Sequence, residues 1–177
     1  YTKQSVAKST IIVEQEELKE CFGIQDQIQV CHGGFNVTKI SSDSNYSLLS
    51  MDKTNRIVEE INDSLILVYS GITRFSSKIQ SRRKDNKKDA NNEALKAINE
   101  YAEAFAQSLV NYNATFDDFC ILLNKSWNAK LSTMQNDNEY LKIVEIYEKA
   151  MRAGAKSGKL LGAGGDGGTT DNMILAC

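Results

Sequence analysis

The segment GKLLGAGGDGG at residues 158–168 contains six of the eleven glycines in a chain that has no proline. Glycine in regular structure is about 0.5–1 kcal/mol less stable than alanine, so such a cluster marks a backbone that turns sharply or approaches another group closely. Apolar runs typical of short strands flank the cluster, at 159–161 and 173–176. The pattern therefore predicts a loop between two strands, whereas the two common glycine-rich phosphate motifs lead from a strand into a helix.

The rest of the chain alternates between helical and strand patterns. Leu95, Ile98 and Phe105 recur at helical spacing, whereas the branched run SLILVYS is typical of a buried strand. This order of elements predicts an α+β fold in which an antiparallel sheet is backed by helices. The predicted helices are 5–20, 22–32, 91–112, 115–133 and 138–153, and the predicted strands are 33–41, 64–70, 159–161 and 173–176.

Composition narrows the classes of function. A net charge of -2 over 177 residues gives no basic surface for nucleic acid, so no nucleic-acid partner is expected. No apolar run reaches the roughly 18–20 residues of a membrane span, and no leader pattern begins the chain, so we expect no membrane partner and a cytoplasmic location. The scattered Cys21, Cys31, Cys120 and Cys177 form no C-x-x-C pair, which argues against a zinc site and a disulfide framework.

Several short motifs follow one another along the chain. GIQDQ at 23–27 is followed closely by HGGFN, and then come YSGITR at 69–74, LNKSW at 123–127 and the glycine-rich segment. In this order they resemble the GHMP small-molecule kinases, the superfamily of galactokinase, homoserine kinase and mevalonate kinase. Within it, the chain is most similar to the D-glycero-D-manno-heptose 7-phosphate kinase-like proteins. The resemblance extends over nearly the whole chain.

This resemblance implies a domain organisation. Residues 1–50 would be the end of the amino-terminal catalytic lobe, and 51–177 would be the ferredoxin-like carboxy-terminal domain, apparently truncated. Family members carry a Gly-Leu-Gly-Ser-Ser type loop at a helix amino terminus, where backbone N–H groups hold the ATP phosphates. That loop does not occur in this sequence. The chain is therefore expected to be the carboxy-terminal portion of a longer protein.

The resemblance also implies an activity. It is the ATP-dependent phosphorylation of a sugar or sugar phosphate. The favoured acceptor is the anomeric hydroxyl of a heptose 7-phosphate, and Mg²⁺ would be carried by the nucleotide. The alternative is a non-catalytic module that binds a sugar phosphate or serves in assembly. It arises because the sequence lacks the phosphate loop. A homodimer is a further expectation, since a truncated lobe would expose apolar surface and an unpaired strand edge.

The family's catalytic aspartate corresponds to Asp26. A carboxylate within hydrogen-bond reach of a sugar hydroxyl can orient it and accept its proton. Gln25 and Gln27 flank it and are candidate substrate contacts. The structural alternative is an aspartate that caps a helix in a polar turn.

Further candidate sites follow from the other motifs. Gly33 and Gly34 would allow the backbone to approach a sugar, or would simply begin a strand. Thr73 and Arg74 would suit a sugar phosphate, although an arginine at a strand end is usually solvated or paired with an acid. The resemblance assigns the ATP site to a loop containing Gly162, Ala163, Gly164 and Gly165, for which a flexible hairpin is the alternative.

Other residues have simpler interpretations. Asp166 departs from the family pattern, because a carboxylate in a loop that faces ATP would repel phosphate unless a metal or lysine intervenes. The single tryptophan, Trp127, is expected in the core, on a helix with Lys125 and Ser126. His32 has no evident partner and is expected to be structural. The charged segment 78–91 is either a solvated loop or a basic lid over an anionic substrate.

Overall fold

The structure is a computed structural model. It describes residues 1–19, 23–41, 43, 45–52, 54–73, 88–133, 138–161 and 170–177. Within these ranges the chain divides into two compact units, Tyr1–Glu59 and Glu60–Cys177. The helices are α1 (Lys3–Ile12), α2 (Gln25–His32), α3 (Arg56–Ser64), α4 (Lys88–Val110), α5 (Phe116–Thr133) and α6 (Asn138–Arg152), with a π-helical turn at Val13–Glu17. The strands are β1 (Asn36–Ile40), β2 (Tyr46–Ser50), β3 (Leu65–Thr73), β4 (Ser157–Leu161) and β5 (Thr170–Ala176).

The first unit pairs two helices with a hairpin. A capping box begins α1, in which the Thr2 hydroxyl accepts a hydrogen bond from the Ser5 backbone N–H at 3.1 Å. Ala7 of α1 and Ile28 of α2 are fully buried, and the two helices pack against each other. Strands β1 and β2 form an antiparallel pair in which Asn36 lies opposite Ser50.

The second unit is a three-stranded antiparallel sheet in the order β3-β5-β4, with helices against it. Side chains alternate between the two faces of a strand. Leu160 of β4 and Met173 of β5 are paired and both enter the core. That core also contains Trp127 of α5 and Ile143 of α6, which confirms the prediction for the tryptophan.

The predicted α+β architecture, an antiparallel sheet backed by helices, is confirmed. Two elements were missed: β2, whose five residues give a weak alternation, and the short helix α3. The helix predicted over 5–20 instead changes at Val13 to a π-helical turn. There the Leu18 N–H donates to the Val13 carbonyl, five residues earlier.

Candidate active site

The strongest candidate, Asp26, lies in the first turn of α2. Its side chain is exposed, and no residue in the described parts of the chain makes a hydrogen bond or ion pair with it. The helix begins at Ile24 as N-cap, and no side chain caps it. The carboxylate therefore lies beside free N–H groups at the positive end of the helix, accessible to a ligand.

The neighbouring glutamines have different surroundings. Gln25 is exposed at the first position of α2, whereas Gln27 is half-buried. The Gln27 side-chain amide donates a hydrogen bond to the Glu14 carboxylate in the π-helical turn. Its Oε1 atom is buried and has no hydrogen-bond partner within the described ranges. Gln27 thus links the helix that carries Asp26 to the π-helical turn that follows α1.

Glu14 was not predicted as a site residue. It lies in the π-helical turn, a geometry that often occurs at functional sites. Sequence periodicity does not reveal such a turn, so no signal in the sequence indicated Glu14. Glu14 and Asp26 are both carboxylates, which are ligands that Mg²⁺ prefers. In the described portion of the chain, no group of three or more His, Cys, Asp and Glu residues could hold a metal ion. A single carboxylate such as that of Glu14 suits a magnesium ion whose other ligands are phosphate oxygens and waters.

The next candidates form the turn between α2 and β1. Gly33 ends α2 with a φ of 64°, and Gly34 follows with a φ of 78°. Both lie in the left-handed region, which favours glycine. A side chain carbon added at either position would meet no atom within 4 Å, so the turn faces open space. Glycine is needed here for backbone conformation and not for close packing against the protein.

His32 lies beside this turn and interacts with the hairpin. Its Nε2 atom is 3.2 Å from the Tyr46 hydroxyl, and the two rings meet edge to face. Its backbone carbonyl accepts a hydrogen bond from the Lys3 ammonium at 2.6 Å. These contacts give His32 partners on β2 and at the start of α1.

The remaining candidates belong to the second unit. Thr73 is the last residue of β3 and is aligned with Thr170 of β5, beyond an irregularity in the pairing that begins at Tyr69. Arg74 lies outside the described residues, as do Gly162, Ala163, Gly164, Gly165 and Asp166. The same holds for most of the charged segment predicted as a loop or lid.

Lys159 lies on β4, the strand that leads into the glycine-rich segment. Its side chain is half-buried, and desolvation lowers its pKa from the ordinary value of 10.5. By alternation along the strand, it shares the face of Ser157, opposite to the core residue Leu160. The Ser157 hydroxyl is completely buried and has no hydrogen-bond partner among the described residues.

The LNKSW motif has a structural role in α5. The Asn124 side-chain oxygen accepts a hydrogen bond from the Tyr147 hydroxyl of α6 at 2.9 Å. Lys125 lies over the Tyr101 ring of α4, with its Nζ atom 5.4 Å from the ring centre. Trp127 contacts the Tyr147 ring, and burial raises the pKa of that tyrosine. The motif thus joins three helices.

The chain is similar to a curated protein of known activity. It is the D-glycero-alpha-D-manno-heptose 7-phosphate kinase of Campylobacter jejuni, which is 30% identical over 165 residues. The match includes 92% of this chain and 47% of the relative, so the chain spans about half the length of that protein. No protein-family model matches the chain.

Two solved structures have a similar fold. One, from Campylobacter jejuni and provisionally described as a sugar kinase, has a TM-score of 0.68 and 26% identity over 99% of this chain and 48% of its own. The other is a D-glycero-D-manno-heptose 1-phosphate kinase from Bacteroides thetaiotaomicron, with a TM-score of 0.61. Its identity is 19%, over 99% of this chain and 45% of that one.

In addition, no helix among the described residues is long and apolar enough to cross a membrane. The matched 92% of the chain agrees with a resemblance that extends over nearly the whole sequence. The comparisons confirm that this chain resembles the carboxy-terminal part of a heptose 7-phosphate kinase of the GHMP superfamily.

Proposed function

We propose that this chain is the carboxy-terminal part of an ATP-dependent kinase whose acceptor is a heptose 7-phosphate, phosphorylated at the anomeric hydroxyl. The 30% identity to a heptose 7-phosphate kinase over 92% of the chain supports the substrate class. The single observation that carries the proposal is the exposed Asp26 carboxylate, which has no partner in the described ranges. A carboxylate without a protein partner is available to a substrate hydroxyl.

Asp26 would act on the hydroxyl that attacks the γ-phosphate. Phosphoryl transfer depends mainly on positioning and on electrostatic stabilisation, because the transferred group passes through a loose transition state. The carboxylate would accept the hydrogen bond of the sugar hydroxyl, orient its oxygen in line with the phosphate, and take up its proton as the new P–O bond forms. At the same time the bond between the γ-phosphorus and the bridging oxygen of ATP would break, and ADP would leave. Gln25, exposed one residue earlier, would contact the same sugar.

We expect magnesium to enter with ATP, where it would neutralise charge on the phosphates during transfer. Glu14 would hold the metal, and the Gln27 amide, which contacts its carboxylate, would fix its orientation. The four glycine-loop residues would approach the nucleotide phosphates, as the family resemblance implies. Such a protein would function in the cytoplasm.

The test is ATP-dependent phosphorylation of D-glycero-α-D-manno-heptose 7-phosphate, with Asp26→Asn as the critical variant. Asp117→Asn is a matched control, because Asp117 is also an exposed aspartate at the second position of a helix, α5. Its ion pair with Lys156 is exposed, so its loss should matter little. We expect turnover that falls at least about 100-fold in the first variant and is unchanged in the second.

A second candidate function is a non-catalytic module that binds sugar phosphate. It would need only side chains that are accessible to the sugar phosphate, and both Gln25 and Asp26 are exposed. Calorimetric titration with the same sugar phosphate separates the two proposals. Binding without turnover would support the module, whereas turnover that persists in Asp26→Asn would contradict the catalytic role of Asp26. Absence of both binding and turnover would reject both functions for this chain.

A further inference from the structure

A half-open cavity of about 140 Å³ lies between α4 and α5. The two helices form an antiparallel hairpin, because only the short segment 111–115 joins them. An apolar cavity of roughly 150 Å³ holds a molecule the size of benzene, so this one has room for an aliphatic side chain. Side chains at helical spacing line it from both helices: Tyr101, Ala104, Phe105 and Ser108 of α4, and Asp118, Ile121 and Leu122 of α5.

The part of α5 that lines the cavity points away from the core of the unit. On the opposite side of this helix, Cys120, Leu123 and Trp127 are buried. Ile121, at the edge of the cavity, is 52% exposed. A single exposed isoleucine is ordinary in a soluble protein, so its exposure alone predicts no partner. The open cavity beside it adds a place for an apolar side chain of another helix, which is how packed helices interlock.

Charged side chains lie on both sides of Ile121. Asp118 comes three residues before it and Lys125 four residues after it, so the three share one face of α5. The two charged residues are about 10 Å apart along the helix axis, so they do not pair with each other. Hydrogen bonds from Thr115 hold the pKa of the Asp118 carboxyl below its ordinary value. The Lys125 ammonium makes no ion pair with any described residue. One end of the face is therefore negative and the other positive.

A face with opposite charges at its two ends is complementary to a second copy of itself when the two helices run antiparallel. In a two-fold arrangement each contact is made twice, so Asp118 of either copy meets Lys125 of the other. Two helical hairpins packed in this way form a four-helix bundle. We propose that the α4–α5 hairpin binds the same hairpin of a second copy of this chain, with Ile121 of each copy entering the cavity of the other. The inference does not depend on the proposed function, because none of these residues belongs to the candidate active site.

The first test measures dimerisation by analytical ultracentrifugation in a parent chain that carries Leu67→Lys. This change opposes pairing through the edge strand β3, which would be a separate contact. We expect the parent chain to dimerise and Ile121→Lys to weaken its dimerisation at least about tenfold, because an ammonium would have to enter the apolar cavity. Leu141→Lys is the matched control, since Leu141 is 56% exposed on α6 and does not line the cavity. Its dimerisation constant should equal that of the parent.

The second test reverses the charges in the same parent chain. Lys125→Asp and Asp118→Lys each place like charges opposite each other, so each alone should dimerise at least about tenfold more weakly. An equimolar mixture of the two should recover the association of the parent, because every pair again joins a lysine and an aspartate. Asp118→Lys also removes the carboxylate that accepts hydrogen bonds from Thr115. If that variant does not fold, Ile121→Cys replaces it. Mild oxidation should then join two copies through position 121, identified by mass spectrometry of the linked peptides.

Each outcome supports or overturns the inference. Loss of association in Ile121→Lys and in both single charge reversals, with recovery in the mixture, supports it. A parent chain that stays monomeric at every concentration overturns it. Dimerisation that is equal in Ile121→Lys, Leu141→Lys and the parent also overturns it, because the copies would then associate through another surface. None of these results affects the proposed function, which is tested by phosphorylation and sugar-phosphate binding.

Discussion

At the scale of single residues, the close approach of β4 and β5 restricts position 158 to glycine. A side chain carbon there would lie 2.6 Å from Leu175 Cδ2 and 2.8 Å from the Ile174 backbone oxygen. Because one of these atoms belongs to the backbone, side-chain rotation cannot relieve the overlap. We expect Gly158→Ala to lower the free energy of unfolding by about 2 kcal/mol, measured by urea denaturation.

The control is the same substitution at Gly23, where an added carbon meets no atom within 4 Å. Gly23→Ala should change the free energy of unfolding by less than about 0.5 kcal/mol. Equal stability of the Gly158→Ala variant and the wild type would mean that the two strands can move apart without lowering the free energy of unfolding. The glycine at 158 would then not be required by packing.

At the scale of elements, the start of α5 is held by a reciprocal cap. The Thr115 hydroxyl accepts from the Asp118 N–H at 3.1 Å, and the Asp118 carboxylate accepts from the Thr115 N–H at 2.9 Å and from its hydroxyl at 2.7 Å. Hydrogen bonds from the Thr115 hydroxyl and N–H lower the pKa of Asp118 below its ordinary value of 3.8. We expect Thr115→Ala to lower the free energy of unfolding by about 1 kcal/mol at pH 7.

The pH dependence of this cap follows from the direction of the pKa shift. A carboxyl whose folded pKa is depressed stabilises the fold above its unfolded pKa, and this stabilisation is lost as the pH falls through the folded pKa. The difference between Thr115→Ala and the wild type should therefore narrow below pH 3.8 in thermal melts at several pH values. Asn113→Ala, an exposed change two residues earlier, is the control and should have no such dependence. If the stability difference between Thr115→Ala and the wild type does not change with pH, the ionised Asp118 carboxylate does not contribute to the cap.

Elements that repeat an apolar pattern over several turns could be predicted, whereas short ones could not. The periodicity of Leu95, Ile98 and Phe105 predicted α4 because only a helix places these residues on one face. Strand β2 has five residues and pairs with β1. So short a run of alternating side chains gave little evidence for a strand in the sequence. In the candidate site, Asp26 and the glycines were predicted from motifs. The Gln27–Glu14 and Asn36–Gly33 contacts depend on packing between elements, which spacing along the chain does not encode.

At the scale of the whole molecule, β3 is an edge of the described three-stranded sheet. Leu67 and Tyr69 lie on one face of this strand and are 63% and 67% exposed. Exposed apolar edge strands pair readily with other chains. We therefore expect concentration-dependent dimerisation in analytical ultracentrifugation. Leu67→Lys should weaken the association at least about tenfold, because a charge on an edge strand opposes edge-to-edge pairing.

Val110→Lys is the matched control, since Val110 is also exposed, at 46%, but lies at the end of α4 and not on the sheet. It adds the same charge and should leave the dimerisation constant unchanged. Equal weakening by both variants would indicate that net charge opposes association and would remove the role of β3. A chain that stays monomeric at every concentration would contradict the dimer itself. It would mean that exposed apolar side chains on this edge are not sufficient for pairing between copies of the chain.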